Sequence, residues 1–270
     1  MRNSDHYAIR GGLKGRERLR VLSRTMHSST AALFDRLQVR EGMTCLDVGC
    51  GGGDVTVELA RRVGAAGRAV GVDIDKTTLA LARQESKVAD IENVEFREID
   101  IQTGEVGAEF DLVYARFLLT HLSNPDAVVA VLTGCLRPGG ILAVEDTDFG
   151  GSFTWPESDA FHRYYDLYIS VVRKRGGDPH LGRRLPLLLT NCGLADVGVN
   201  VVQPVDVQGE AKLLNPMTME NIAESVVRDG LASGTEIDSV VQELYRFAAD
   251  PGTLAGLPRI VQTWGRRVLE

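Results

Sequence analysis

Nowhere does this 270-residue chain hold the ~18 consecutive apolar residues that a membrane-spanning helix requires, so no membrane span is expected. Met1 to Arg10 mixes charged and polar side chains without an apolar centre, so no secretory leader is expected there. Cysteine is scarce. Cys45, Cys50, Cys135 and Cys192 form no Cys-x-x-Cys pair and no zinc-type spacing with the five histidines, so free thiols, a cytoplasmic location and no metal site are expected. Basic residues are outnumbered, 30 against 37, for a net charge of −7. Phosphate neutralisation is therefore a poor binding mode for this chain, and a small molecule is the expected partner instead of a nucleic acid. Internal repeats and low-complexity linkers are also missing. What the chain does have is core-forming material: 44% hydrophobic and 25% charged residues suit one elaborated domain or two small ones.

From Met43 to Asp146 short apolar runs alternate with segments of helical period, the pattern of parallel strands joined by crossover helices. Strands are expected at Thr44 to Val48, Arg68 to Asp73, Val94 to Ile99, Phe110 to Ala115 and Ile141 to Glu145, giving a doubly wound α/β sheet. Between them, Val55, Leu59, Ala60 and Val63 mark the buried face of one helix, and Thr77 to Gln84 is another. Asn124-Pro125 is a capped helix start, and Pro138-Gly139-Gly140 is expected to end that helix sharply. Residues 1–42 carry apolar positions at helical spacing and should give one or two helices over the sheet edge. After Asp146, helices are expected at Glu157 to Lys174 and Leu185 to Leu189, then a strand at Val197 to Val205. Residues 206–250 read as a helical lid inserted before a last strand, Arg259 to Arg266. The expected organisation is thus an N-terminal cover (1–42), a core (43–205 and 251–270) and a lid (206–250).

The chemistry concentrates in Leu46-Asp47-Val48-Gly49-Cys50-Gly51-Gly52-Gly53, with Asp73 lying 20 residues beyond Gly53. Glycines at 49, 51 and 53 let the backbone approach a ligand with no β-carbon in the way. The spacing is G-x-G-x-G, not the G-x-G-x-x-G of dinucleotide sites. Asp47 sits inside an apolar strand, where a carboxylate is costly unless a cation such as an aminoacyl ammonium meets it. Asp73 ends the second strand, in place to accept both ribose hydroxyls. Asp100-Ile101 follows the third, setting a carboxylate near an exocyclic adenine amine and an apolar side chain against the ring. Each acid alone is an ordinary strand-end or cap residue; three at successive strand ends describe a nucleoside site.

With these motifs, the stretch from Leu46 to Asp146 resembles the class I S-adenosylmethionine-dependent methyltransferases of the ubiquinone/menaquinone-biosynthesis type. The glycine run resembles their first motif, Val72-Asp73-Ile74 the acidic-strand motif, Asp100-Ile101 the adenine motif, and Leu136-Arg137-Pro138-Gly139-Gly140-Ile141-Leu142 the late turn-and-strand motif. The resemblance implies a mostly parallel seven-stranded sheet of Rossmann-like type with an antiparallel last strand. It also implies S-adenosyl-L-methionine as cofactor, with S-adenosyl-L-homocysteine as product, and places Cys50, Ile74, Ala115 and Arg116 along the cofactor. The Asn/Asp-Pro-Pro-Tyr/Phe signature of amino-methylating relatives is absent; Tyr114-Ala115-Arg116-Phe117 stands there.

Methyl transfer from a sulfonium needs alignment more than acid–base help. Where a proton must leave, His121 is the expected base, with Asp146 or Asp148 as alternative or orienter. His162, Tyr164, Tyr165 and Tyr168 read as helix packing, Trp155 as a wall of an aromatic acceptor site or a loop anchor, and Tyr7 and Arg10 as part of a flap over the cofactor. The expected function is methylation of a small, hydrophobic acceptor. The alternatives are a non-catalytic domain that binds S-adenosylmethionine or S-adenosylhomocysteine, and an NAD(P)-dependent oxidoreductase, which the glycine spacing and the lack of a Tyr-x-x-x-Lys pair disfavour. The spare apolar helices would serve a homodimer as well as a lid.

Overall fold

The computed structural model describes residues 12–107 and 109–268, with side chains described from residue 15; Tyr7 and Arg10 lie outside the described residues. Helix α1 (Gly12–Arg36) precedes β1 (Thr44–Val48), α2 (Asp54–Val63), β2 (Arg68–Asp73), α3 (Lys76–Val88), β3 (Val94–Glu98) and β4 (Phe110–Arg116). A one-turn helix, Leu119–His121, leads to α4 (Pro125–Gly134), β5 (Leu136–Asp148), β6 (Phe153–Trp155), α5 (Asp159–Lys174), α6 (Leu185–Asn191), β7 (Ala195–Val202) and β8 (Val205–Asp206). The chain closes with α7 (Leu214–Arg228), α8 (Gly234–Ala249), β9 (Leu254–Gly256) and β10 (Arg259–Arg266).

Seven strands form one sheet in the order β3-β2-β1-β4-β5-β10-β7, parallel except for β10, which runs antiparallel to both neighbours. The order reverses between β1 and β4, so their carboxyl ends splay apart around a crevice, where ligands bind in such sheets. Both faces are covered, and the central strands read as continuous apolar runs for that reason: Leu46, Val48, Val113 and Val144 belong to one buried cluster, Cys45, Leu112, Tyr114 and Ala143 to another. Local signals start the helices. Gly53 at φ 78° turns the chain into α2, Asp75 accepts from the N–H groups of Thr77 and Thr78 at the head of α3, and Asn124 accepts from Ala127 N–H ahead of Pro125.

Three expectations need correction. Helix α4 ends at Gly134, and Pro138-Gly139-Gly140 belongs to the start of β5; Phe110 pairs with Leu136 but Leu112 with Ile141, so residues 137–140 bulge from the ladder. The strand expected over 197–205 breaks after Val202, because Pro204 has no N–H to give a ladder. Among the described residues the N-terminal stretch gives one helix, and it crosses the middle of the sheet instead of its edge: Phe34 packs edge-on against Tyr114 of central β4 at 5.1 Å. A second layer gathers α5, α7 and α8 around Phe161, Leu167, Val171, Met219 and Ile222. With α1 it overhangs the carboxyl ends of the strands.

Candidate active site

Two adjoining cavities open at the β1/β4 switch point. The larger, of about 460 Å³, lies between the glycine run and the roof of α1, α5 and α7; the smaller, of about 80 Å³, is a slot beside Asp100 and Ile101. Gly49, Asp73, Ile74 and His121 line both. Their combined size is that of a small-molecule binding site.

The floor is the glycine turn. Gly49, Gly51 and Gly53 have φ of 70°, 50° and 78°, which side-chain-bearing residues rarely adopt. A β-carbon on Gly53 would come within 2.6 Å of the Phe96 ring, and one on Gly52 within 2.3 Å of the Arg16 guanidinium. The N–H groups of Gly49 and Cys50 are held by Val72 O, while Gly51 N–H donates to Asp73 Oδ2 at 2.9 Å. The loop is thus built onto the β2 end before any ligand arrives. Arg16 of α1 grips it from above, bonding Asp54 at 2.5 and 2.9 Å and Glu85 at 3.1 and 2.5 Å.

Around this floor the acids differ in state. Asp47 is buried and accepts from Thr56 Oγ1 at 2.6 Å; burial pushes its pKa up to about 6, against the pull of that hydrogen bond and of Arg116. Asp73 is also raised by burial, while the N–H groups of Asp75 and Gly51 favour its charged form. Asp100 and Ile101 line the slot, with Asp100 also capping the N–H of Gln102. Cys50 lines the larger cavity with its thiol pushed well above the ordinary range, chiefly by burial. Arg116 reaches that cavity too, and donates to Thr30 of α1 at 3.1 Å.

Other expected site residues fall elsewhere. Ala115 is sealed between β1 and β5 and lines neither cavity, since its strand position points it into the core. Asp146 is fully buried and lines neither cavity. Its oxygens accept from Thr120 N–H and Thr147 N–H at 2.9 and 2.8 Å, so it anchors the turn after β4; burial raises its pKa to about 7 despite those bonds. Asp148 faces away, paired with Arg183, His180 and Arg259. Trp155 is exposed and not a cavity wall. His121 does face both cavities, but burial, with Arg18 and Arg175 nearby, lowers its pKa to about 4. It is neutral at pH 7 and a weak proton acceptor.

The roof was invisible to motif reading. Leu22 and Met26 of α1, Tyr164 and Tyr168 of α5, and Thr218 of α7 converge there, with Phe149 stacked on Tyr168 at 4.5 Å. Of these only the α1 pair carried a usable signal: Arg18, Leu22 and Met26 recur every four residues on one helix face. Tyr164 and Tyr168, read as packing, are indeed buried yet also touch the cavity.

The sheet order and the glycine cradle define the class, a Rossmann-like α/β domain built for a nucleoside cofactor. Residues 39–166 match the family model described as a methyltransferase domain, and this region of the chain is similar to S-adenosylmethionine-dependent methyltransferases. Among curated relatives, the demethylmenaquinone methyltransferase of Staphylococcus aureus is 33% identical over 137 residues, 50% of this chain and 53% of the relative. The chain spans about half the length of the curated relatives it matches. Among solved structures, the YcgJ protein of Bacillus subtilis superposes with a TM-score of 0.60 at 16% identity, covering 90% of this chain and 100% of the other. Phosphoethanolamine N-methyltransferase 2 of Haemonchus contortus, solved with S-adenosyl-L-methionine, gives 0.54 at 17% identity, with 94% and 53% covered. At such identities these likenesses carry the fold alone.

Proposed function

We propose that this protein transfers the methyl group of S-adenosylmethionine to a small, largely apolar acceptor. The observation that carries the reading is the joint placement of Asp47, the Gly49–Gly53 turn, Asp73 and the Asp100–Ile101 slot along two adjoining cavities that share Gly49, Asp73, Ile74 and His121. The donor set fits the cofactor. Asp73, with one backbone N–H fixing each oxygen, keeps lone pairs for two ribose hydroxyls, and the narrow slot suits a flat base. Asp47 and the cradle suit an aminoacyl group. When bound, the cofactor supplies an electrophilic methyl carbon with a neutral thioether as leaving group.

The chain's own part is alignment and water exclusion. Asp47 and Asp73 fix the donor end, Arg16 closes α1 over the glycine turn, and the Phe149 and Tyr168 rings wall the acceptor side. Asp146 holds the turn that brings Thr120 and His121 to the crevice. His121, neutral at working pH, serves as a wall of both cavities. The helices α7 and α8, with the preceding residues 206–213, act as a lid, and α1 as the cover of the cofactor end. Calorimetric titration with S-adenosylmethionine, S-adenosylhomocysteine and NADH tests the reading. Micromolar binding of the two adenosyl compounds alone is expected; binding of NADH alone would sink it.

A further inference from the structure

The sheet face beneath α1 carries a polar row through the middle of the core. Arg116 of β4 pairs with Glu145 of β5, Glu145 with Gln262 of β10, and Gln262 with Asn200 of β7. Cross-strand partners point to the same side of a sheet, so register alone aligns these four side chains across four strands. Asn200 donates to Gln262 at 2.7 Å, Gln262 to Glu145 Oε2 at 3.1 Å, and Tyr114 to Glu145 Oε1 at 2.6 Å. Polar groups buried this deeply are costly unless they are bonded throughout.

The bridge between Glu145 and Arg116 comes from α1. The buried Thr30 accepts from Arg116 Nη1 at 3.1 Å through its Oγ1 and donates to Glu145 Oε1 at 2.9 Å. Its one hydroxyl proton is committed to Glu145, so a lone pair faces the guanidinium, which can only donate. The direction of the chain is therefore fixed. At its end Arg116 lines the larger cavity together with Asp47, whose strand partner is Tyr114. An arginine side chain has wide rotamer freedom, and holding it in place beforehand spares a ligand from ordering it.

Resting on the methyl-transfer reading, we infer that Thr30 is a positioning residue: its hydroxyl, oriented by Glu145, holds the Arg116 guanidinium on the cavity wall within electrostatic reach of Asp47, the carboxylate assigned to the aminoacyl ammonium. Arg116 pulls Asp47 toward its charged form, against burial and against Asp73 of β2 and Asp54 of α2. The other titratable groups coupled to Asp47 among the described residues are Cys45, Cys50 and Tyr114, all raised by burial and neutral at pH 7. Releasing Arg116 therefore lets Asp47 take up a proton at higher pH, and a neutral carboxyl receives an ammonium group poorly.

The test follows the Asp47 side-chain carboxyl by carbon NMR through an acid titration of the full chain without ligand, its signal identified with Asp47→Asn. Thr30→Val should raise the titration midpoint by about half a pH unit or more, and Thr30→Ser should leave it near that of the unaltered chain. In an Arg116→Met background Thr30→Val should add nothing, because both substitutions remove the same contact. Calorimetry with S-adenosylhomocysteine at neutral pH should show about fivefold weaker binding for Thr30→Val, the loss typical of one hydrogen bond, with recovery in Thr30→Ser. A midpoint unmoved by Thr30→Val, a shift of equal size in the Arg116→Met background, or unchanged affinity in Thr30→Val each overturns the inference, whatever happens to the melting temperature. If Thr30→Val does not fold, Thr30→Ala takes its place with the same expectations. Failure of both to fold overturns the inference as well, since the hydroxyl would then be holding the fold and not Arg116. Failure of the unaltered chain to bind S-adenosylhomocysteine overturns the methyl-transfer reading instead, and the ligand-free titration still decides whether Thr30 sets Arg116 against Asp47.

Discussion

At the scale of the residue, burial decides what each acid can do. Asp47 and Asp146 are both sealed in the sheet, but Asp47 borders the crevice and Asp146 meets only backbone N–H groups. With a pKa of about 6 before the cofactor binds, Asp47 is ionised at pH 7 and protonated under mild acid. Affinity for S-adenosylmethionine should hold above pH 6 and fall about tenfold per pH unit below it, since the carboxyl must lose a proton to meet an ammonium group. Calorimetry across pH 5 to 8 checks this; an affinity flat across that range removes Asp47 from the ammonium. Asp73→Ala should weaken cofactor binding about a hundredfold, from lost ribose bonds and a loosened Gly51. His121 provides a contrasting pH test. Its folded pKa of about 4 lies below the ordinary 6.5, so it should produce no limb near pH 6.5 in kcat at saturating cofactor. A limb there that vanishes in His121→Asn would restore it as the base.

Among the elements, α1 has the largest consequence. It is latched at one end by Arg16 to Asp54 and Glu85, and at the other by Thr30, which donates to the buried Glu145 at 2.9 Å. Glu145 also accepts from Tyr114 at 2.6 Å and Gln262 at 3.1 Å, which ties the helix to three central strands' worth of sheet. Arg16→Ala should cost about 2 kcal/mol, less than a fully buried pair because Asp54 and Glu85 retain contact with water. Hydrogen exchange should quicken in the first turns of α1 ahead of the sheet, and cofactor should dissociate faster. Unchanged exchange there would mean that the latch does not hold the cover. The helix itself was legible in the apolar positions Leu19, Leu22, Met26, Leu33 and Phe34. Its seat on the sheet centre was not, because period shows which face is buried and says nothing about what buries it.

For the molecule as a whole, the crevice joins parts of the chain that are distant in sequence, so ligand and fold stability are linked. Saturation with S-adenosylhomocysteine at a hundred times its dissociation constant should stabilise by about 2.7 kcal/mol, a rise in melting temperature of about 5–10 °C for a chain of this size. A shift of that size with the cofactor product and none with NADH would match the proposed site. By itself the sequence determined the half of the proposed site assigned to the donor. Gly49, Gly51, Gly53, Asp73 and Asp100 stand at successive strand ends, and a parallel sheet brings such ends to one edge whatever the rest of the chain does. The tertiary structure alone decided the other half. Thr147, Phe149, Tyr164, Tyr168 and Thr218 come from β5, the turn after it, α5 and α7, and only packing makes them neighbours. It also separated Asp146 and Ala115 from the crevice, since the side of a strand on which a residue falls depends on register, and register is fixed by the pairing of β4 with β1 and β5 and of β5 with β10.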